Sequence, residues 1–168
     1  MEEMTGEVTQ LADEGRFPGE LRFEAHEALL TTKLLGQTFQ TNMDKIWTCL
    51  MQDEVLIIGV YGMGGVRKTT LVTHIHNKLI ENPYTFDHVF WITVSQDFSI
   101  HKLQNDIEIV HLDLSNVDDE KKWAAKLAQT LMRRQQSILI LDDVWNHFVL
   151  EKVGIPIRVK GCKLILCV

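Results

Sequence analysis

Nine residues, Gly62-Met63-Gly64-Gly65-Val66-Arg67-Lys68-Thr69-Thr70, leave few folds open to this chain. They follow the apolar run Val55-Leu56-Ile57-Ile58-Gly59-Val60, which reads as a buried strand. A strand, a glycine-rich turn and Lys-Thr-Thr at the head of a helix form the layout of a phosphate-binding P-loop. The residue types follow from the chemistry. Backbone N–H groups wrap a di- or triphosphate only where the chain bends closely around it, and a Cβ obstructs that bend. The N-terminus of the next helix adds unpaired N–H groups and a partial positive charge. On this reading Gly62, Gly64, Gly65, Val66, Arg67, Lys68, Thr69 and Thr70 line the phosphates, Lys68 reaches the β- and γ-phosphates, and the Thr69 hydroxyl is offered to Mg²⁺.

One position departs from the pattern G-x-x-x-x-G-K-[ST]: Arg67 stands where the glycine before the lysine belongs. Its Cβ is expected to crowd the space the phosphates need, so impaired nucleotide binding is the expectation. An outward-turned guanidinium would instead add a favourable charge.

The second half of such a site is expected at Asp142-Asp143, about seventy residues further on, closing the apolar run Ser137-Ile138-Leu139-Ile140-Leu141. A continuous apolar run suits a strand buried on both faces of a parallel sheet, and ligands of open α/β sheets bind at the C-terminal strand ends. Asp142 is expected to hold Mg²⁺ and Asp143 to orient an attacking water.

Between these landmarks, alternating strand and helix signals predict an α/β domain. Met43, Ile46, Trp47, Leu50 and Met51 make one helical face, with Asn42 as its expected cap. Leu71, Ile75 and Leu79 line the helix after the loop, which Pro83 closes. A strand is predicted over His88–Ser95, helices over Ile100–Val110 and from Asp118-Asp119 to about Gln136, a loop or short helix over His147–Val153, and a last strand over Cys162–Val168. Residues 1–33 lack a sustained period and read as an acidic lead-in with a short helical stretch near Glu20–Leu30.

Composition narrows the classes. At 168 residues with 45% hydrophobic content, the chain suits one soluble α/β domain. Of the net charge of −6, residues 1–20 carry −5, from six acids against Arg16; the near-neutral remainder argues against nucleic-acid binding. No apolar run approaches the roughly 18–20 residues of a membrane span. Cys49, Cys162 and Cys167 have no metal or redox spacing and read as reduced, buried thiols, with a cytoplasmic location expected. His74 and His76 are two apart on a helix and do not share a metal. Trp47, Trp91 and Trp123 sit on apolar faces and read as core.

With these residues in view, the sequence from about Leu34 onward resembles the NB-ARC domain of plant intracellular disease-resistance proteins of the nucleotide-binding leucine-rich-repeat class. Gly62–Thr70 is similar to that family's G-M-G-G-V-G-K-T-T, Phe86–Gln96 to its F-D-x-V-x-W-x-x-V-S-Q, and Leu139–Trp145 to its Walker B stretch, with Trp145 marking the coiled-coil subclass. Gly161–Leu166 resembles a further motif that continues in the family as T-T-R; here Cys167-Val168 follows, without the arginine that senses the γ-phosphate. Leu34–Gln37 matches the segment lying against adenine.

The resemblance implies a three-layer P-loop NTPase fold with a mostly parallel sheet, C-terminally truncated. It divides the chain into a lead-in (1–33) and a partial NB-ARC domain (34–168). It also implies an ADP/ATP switch with Mg²⁺, at most a slow ATPase, and self-association or pairing with related receptors. Lys68, Thr69 and Asp142 would serve phosphate and Mg²⁺, and Asp143 hydrolysis. It further places the last strand between the P-loop strand and the Asp142 strand, leaving the P-loop strand's edge open and poor solubility expected. Two other classes compete: a nucleotide-independent interaction fragment that pairs with related receptors, and, less favoured, a small P-loop kinase.

Overall fold

The computed structural model describes residues 28–29, 36–63, 65, 67–94, 96–109, 119–134, 136–156 and 159–168. The helical stretch expected near Glu20–Leu30 lies outside these residues apart from 28–29, which are not helical.

In chain order the elements are α1 (Gln37–Leu50), β1 (Ile57–Val60), α2 (Lys68–Glu81), β2 (His88–Thr93), α3 (Ile100–Ile109), α4 (Glu120–Arg133), β3 (Ser137–Asp142), α5 (Leu150–Val153) and β4 (Cys162–Cys167). The four strands form one sheet in the order β1-β4-β3-β2, every pair parallel. The last strand therefore lies between the P-loop strand and the Asp142 strand.

Two apolar clusters make this a three-layer α/β sandwich. On one face Ile46 and Leu50 of α1 and Leu71, Ile75 and Leu79 of α2 pack on Ile138, Ile140 and Ile165. On the other, Leu103 and Ile107 of α3, Trp123, Leu127 and Leu131 of α4 and Val153 of α5 pack on Leu139, Leu141 and Leu164. Strand β3 thus sends alternate side chains to opposite cores, as the two-residue period of a strand requires. Its Ile138, Leu139, Ile140 and Leu141 are all fully buried, each burial worth about 1.5–3 kcal/mol.

The topology also explains where the helices go. From β1 the chain crosses to the far edge, β2, with α2 on one face; it returns through β3 and β4 with α3, α4 and α5 on the other. Right-handed crossovers running in opposite directions must use opposite faces. The chain consequently leaves the C-terminal ends of β1 and β3 on different sides, opening a crevice between them.

Two local details differ from expectation and a third agrees with it. Helix α1 begins at Gln37 rather than at an Asn42 cap, with Gly36 at its N-terminus in a positive-φ conformation. The extra turn is stabilised by Phe39 packing on the apolar cluster and by the Thr41 hydroxyl donating to the Gln37 carbonyl. Asp119, as expected, caps α4: its carboxylate accepts from the backbone N–H groups of Lys122 (2.9 Å) and Lys121 (3.0 Å), which hold it below the usual carboxylate range. Strand β1 is not buried throughout; it lies at the sheet edge with Ile57 and Gly59 exposed. Among the described residues β4 alone pairs with it, and its Ile58 and Val60 pack into one apolar cluster only.

Two contacts fasten the periphery. Lys163 on β4 is buried, and its ammonium donates to the carbonyls of Gln52 (2.6 Å) and Val55 (2.9 Å), stapling the loop before β1 to the sheet. Burial lowers its pKa, with Asp53 opposing. Gly154 ends α5 at φ +96°, and a methyl there would overlap the Ala124 backbone of α4.

Candidate phosphate-binding site

The loop after β1, the first turn of α2 and the ends of β3 and β4 converge on a cleft of about 360 Å³. It is lined by Gly65, Arg67, Lys68, Thr69, Asp142, Asp143, Trp145, Cys167 and Val168. Parallel register brings them together: Val60 pairs with Cys167, and Thr93 with Asp142. Beyond the strands, Val168 N–H donates to Val60 O (2.9 Å), Val144 N–H to Cys167 O (2.9 Å) and Val94 N–H to Asp142 O (2.8 Å). The cleft floor is thus tied across all four strands.

On the α2 side, the Lys68 ammonium turns back onto its own loop, donating to Gly62 O (2.7 Å) and Met63 O (3.2 Å). Thr69 donates its hydroxyl to Asp142 Oδ1 at 3.1 Å. Asp142 is only 3% exposed, and Thr69 is its link to the loop. A hydroxyl and a carboxylate of this kind are hard oxygen donors and suit Mg²⁺. Gly62 and Gly65 are exposed, and Gly65 adopts φ +81° with open space around it. Thr70 is half-buried one residue further along α2. Gly64 and Val66 lie outside the described residues, as do Leu34 and Leu35 of the segment matched to adenine.

Arg67 is the N-cap of α2 and adopts φ 59°, ψ 36°, the left-handed region. That conformation costs a Cβ-bearing residue about 1–2 kcal/mol and is the reason a glycine suits the position. Sequence reasoning attributed the glycine to close approach alone; the backbone adds a second requirement. The Arg67 side chain is exposed at the cleft.

Three cleft residues, Trp145, Cys167 and Val168, were not among the expected site residues. Trp145, 69% exposed, donates its indole N–H to Asp143 Oδ1 at 2.7 Å, and Asp143 itself has φ 61°. Cys167 is buried beside Asp142; burial first, and then the carboxylate, push its thiol pKa up to about 12. Their signals were present: Trp145 lies two residues beyond Asp143, and Cys167 ends a strand predicted to adjoin the P-loop strand.

Comparison with known proteins now bears on this geometry. The family model for the NB-ARC domain matches residues 39–168. The chain belongs to the NB-ARC family. Among curated relatives, the disease resistance protein RFL1 of Arabidopsis thaliana is 39% identical over 145 residues, covering 84% of this chain and 16% of RFL1. The Arabidopsis disease resistance protein UNI is 41% identical over 167 residues, covering 94% of this chain and 18% of UNI. This NB-ARC chain therefore spans under a fifth of the length of either relative.

Proposed function

We propose that this chain is the ADP/ATP-binding switch module of a plant immune receptor acting in defence, with its nucleotide affinity lowered by Arg67. The observation that carries the reading is the meeting of the Thr69 hydroxyl and the buried Asp142 carboxylate beside Lys68, at the head of α2. The disease-resistance names of the NB-ARC relatives supply the biological setting.

The roles follow from the chemistry of each group. Lys68 exchanges its loop carbonyls for phosphate oxygens, and the first turn of α2 adds its N–H groups and dipole. Thr69 and Asp142 hold Mg²⁺, which neutralises phosphate charge when bound. Asp143 would orient water, with one of its oxygens engaged by Trp145. That engagement favours a slowly hydrolysing switch over a fast ATPase. Arg67 acts against binding in two ways: its strained backbone reduces the population of the competent loop, and its Cβ shares the approach to the phosphates.

The test is calorimetric titration of MgADP and MgATP into the chain and into Arg67→Gly. Binding by the glycine variant at least tenfold tighter supports the reading. Equal affinities remove the impairment while keeping the switch. If neither protein binds, the nucleotide reading falls, and the interaction-fragment reading replaces it. That second reading draws on the open β1 edge, whose exposed apolar strand suits pairing with a strand from a related receptor.

A further inference from the structure

Helix α2 carries a second recognition element, three turns from the phosphate loop. The Asn77 side chain makes two hydrogen bonds to one residue lying 48 positions earlier in the chain. Its Oδ1 accepts from the Leu29 N–H at 2.8 Å, and its Nδ2 donates to the Leu29 carbonyl at 2.8 Å. An amide bonded to both main-chain groups of a single residue imitates the edge of a strand. It reads main-chain groups, whatever side chain that residue bears.

His76 lies behind the amide: it is 2% exposed, its Nδ1 is 3.2 Å from Asn77 Oδ1, and its ring stands edge-on to Trp91 of β2 at 5.6 Å between centroids. The imidazole tautomer with its proton on Nδ1 would donate to Oδ1 and leave Nδ2 facing the Leu29 carbonyl.

We infer that Asn77 is a docking point for main chain, occupied by this chain's own Leu29, and that it fastens the chain at Leu29 to the phosphate-loop helix. Charge supports this occupant: residues 1–29 carry eight acids against two arginines, whereas α2 carries Lys68 and Lys78 against Glu81 alone. Asn77 and Lys68 lie on one uninterrupted helix, about 14 Å apart along its axis. Leu29 is thereby tied to the same helix that heads the cleft.

Amide hydrogen exchange on the full chain tests this. The Leu29 amide is expected to exchange at least tenfold more slowly than an unprotected amide, and Asn77→Ala is expected to abolish that protection while leaving β3 amides unchanged. Alanine is the best helix former, and Asn77 is only half-buried, so this variant keeps α2. Asn77→Asp keeps the acceptor but turns an oxygen toward the Leu29 carbonyl, and is expected to lose protection several-fold. An unprotected Leu29 amide in the unaltered chain, or equal Leu29 rates in the chain and Asn77→Ala, would overturn the inference.

Discussion

The two walls of the cleft are built in opposite ways. Asp142 stands at the end of β3, a strand paired on both sides and buried at every residue, so its carboxylate is located by the core. The facing loop hangs from β1, an edge strand with alternate residues exposed, and turns through left-handed backbone at Gly65 and Arg67. A site residue on the first wall inherits its position from a strand paired on both sides and packed on both faces. A residue on the second depends on whether its own φ is tolerable. One arginine for one glycine therefore matters on the loop wall to a degree that no single conservative change matches on the strand wall.

The sharpest way to break this contrast is to truncate each wall. Ile140→Ala removes a fully buried side chain and is expected to cost about 3–4 kcal/mol. Ile57→Ala on β1, where the side chain is 37% exposed, should cost about 1 kcal/mol. Urea unfolding of both variants measures the difference, and equal losses would erase the distinction.

Alkaline pH probes the strand wall next. The Cys167 thiol titrates near 12 in the folded chain but near 8.5–9 when unfolded. Above about pH 9 the unfolded chain loses this proton while the native chain keeps it. Stability should therefore be fully present below pH 9 and fall as pH rises toward 12, by up to about 1.4 kcal/mol per pH unit from this group. Cys167→Ser should flatten that part of a pH-resolved denaturation series, and an unchanged slope would show that the thiol is not held protonated.

On the loop wall, Arg67→Gly relieves left-handed strain but adds unfolded-state freedom, for a net gain of about 0.5–1 kcal/mol in the unfolding free energy. Arg67→Asn should recover part of it, because Asn visits that region more readily. A loss of stability in both would mean that the guanidinium, rather than the backbone, governs this position. The smallest effect is expected for Ile57→Lys, whose aliphatic stem keeps covering the apolar surface that alanine would bare, so that stability stays within about 0.5 kcal/mol of the original. Its readout is light scattering during concentration: a charged edge should suppress strand-to-strand association, and undiminished aggregation would clear β1 of blame.

Much of the fold was legible because periodicity and burial agree. Ile138–Leu141 is apolar throughout and belongs to one of the two central strands; Leu71, Ile75 and Leu79 form the inner stripe that their spacing predicts and are buried. The Asp119 cap was legible from residue type. The start of α1 was not, since Gln37–Asn42 is polar enough to pass for a loop and is held helical partly by Phe39. Nor could sequence separate the half-exposed edge strand from a buried one, because both read as apolar runs. At the site, the P-loop and Asp142-Asp143 were recognisable as motifs, whereas the φ of Arg67, the Trp145–Asp143 bond and the Cys167–Asp142 contact depend on three-dimensional neighbours. Asn77 left no trace at all, since its partner is a backbone.

The Lys68 ammonium already holds two oxygens of its own loop. Capture of an anion there is a trade of one oxygen set for another, and the affinity records only the difference between them. If Lys68 serves phosphate as proposed, such a loop would act as a threshold: weakly basic or singly charged anions would gain little over the resident carbonyls, while a chelating polyphosphate would clear the bar. Selectivity for highly charged ligands would then begin before any contact with a base or sugar.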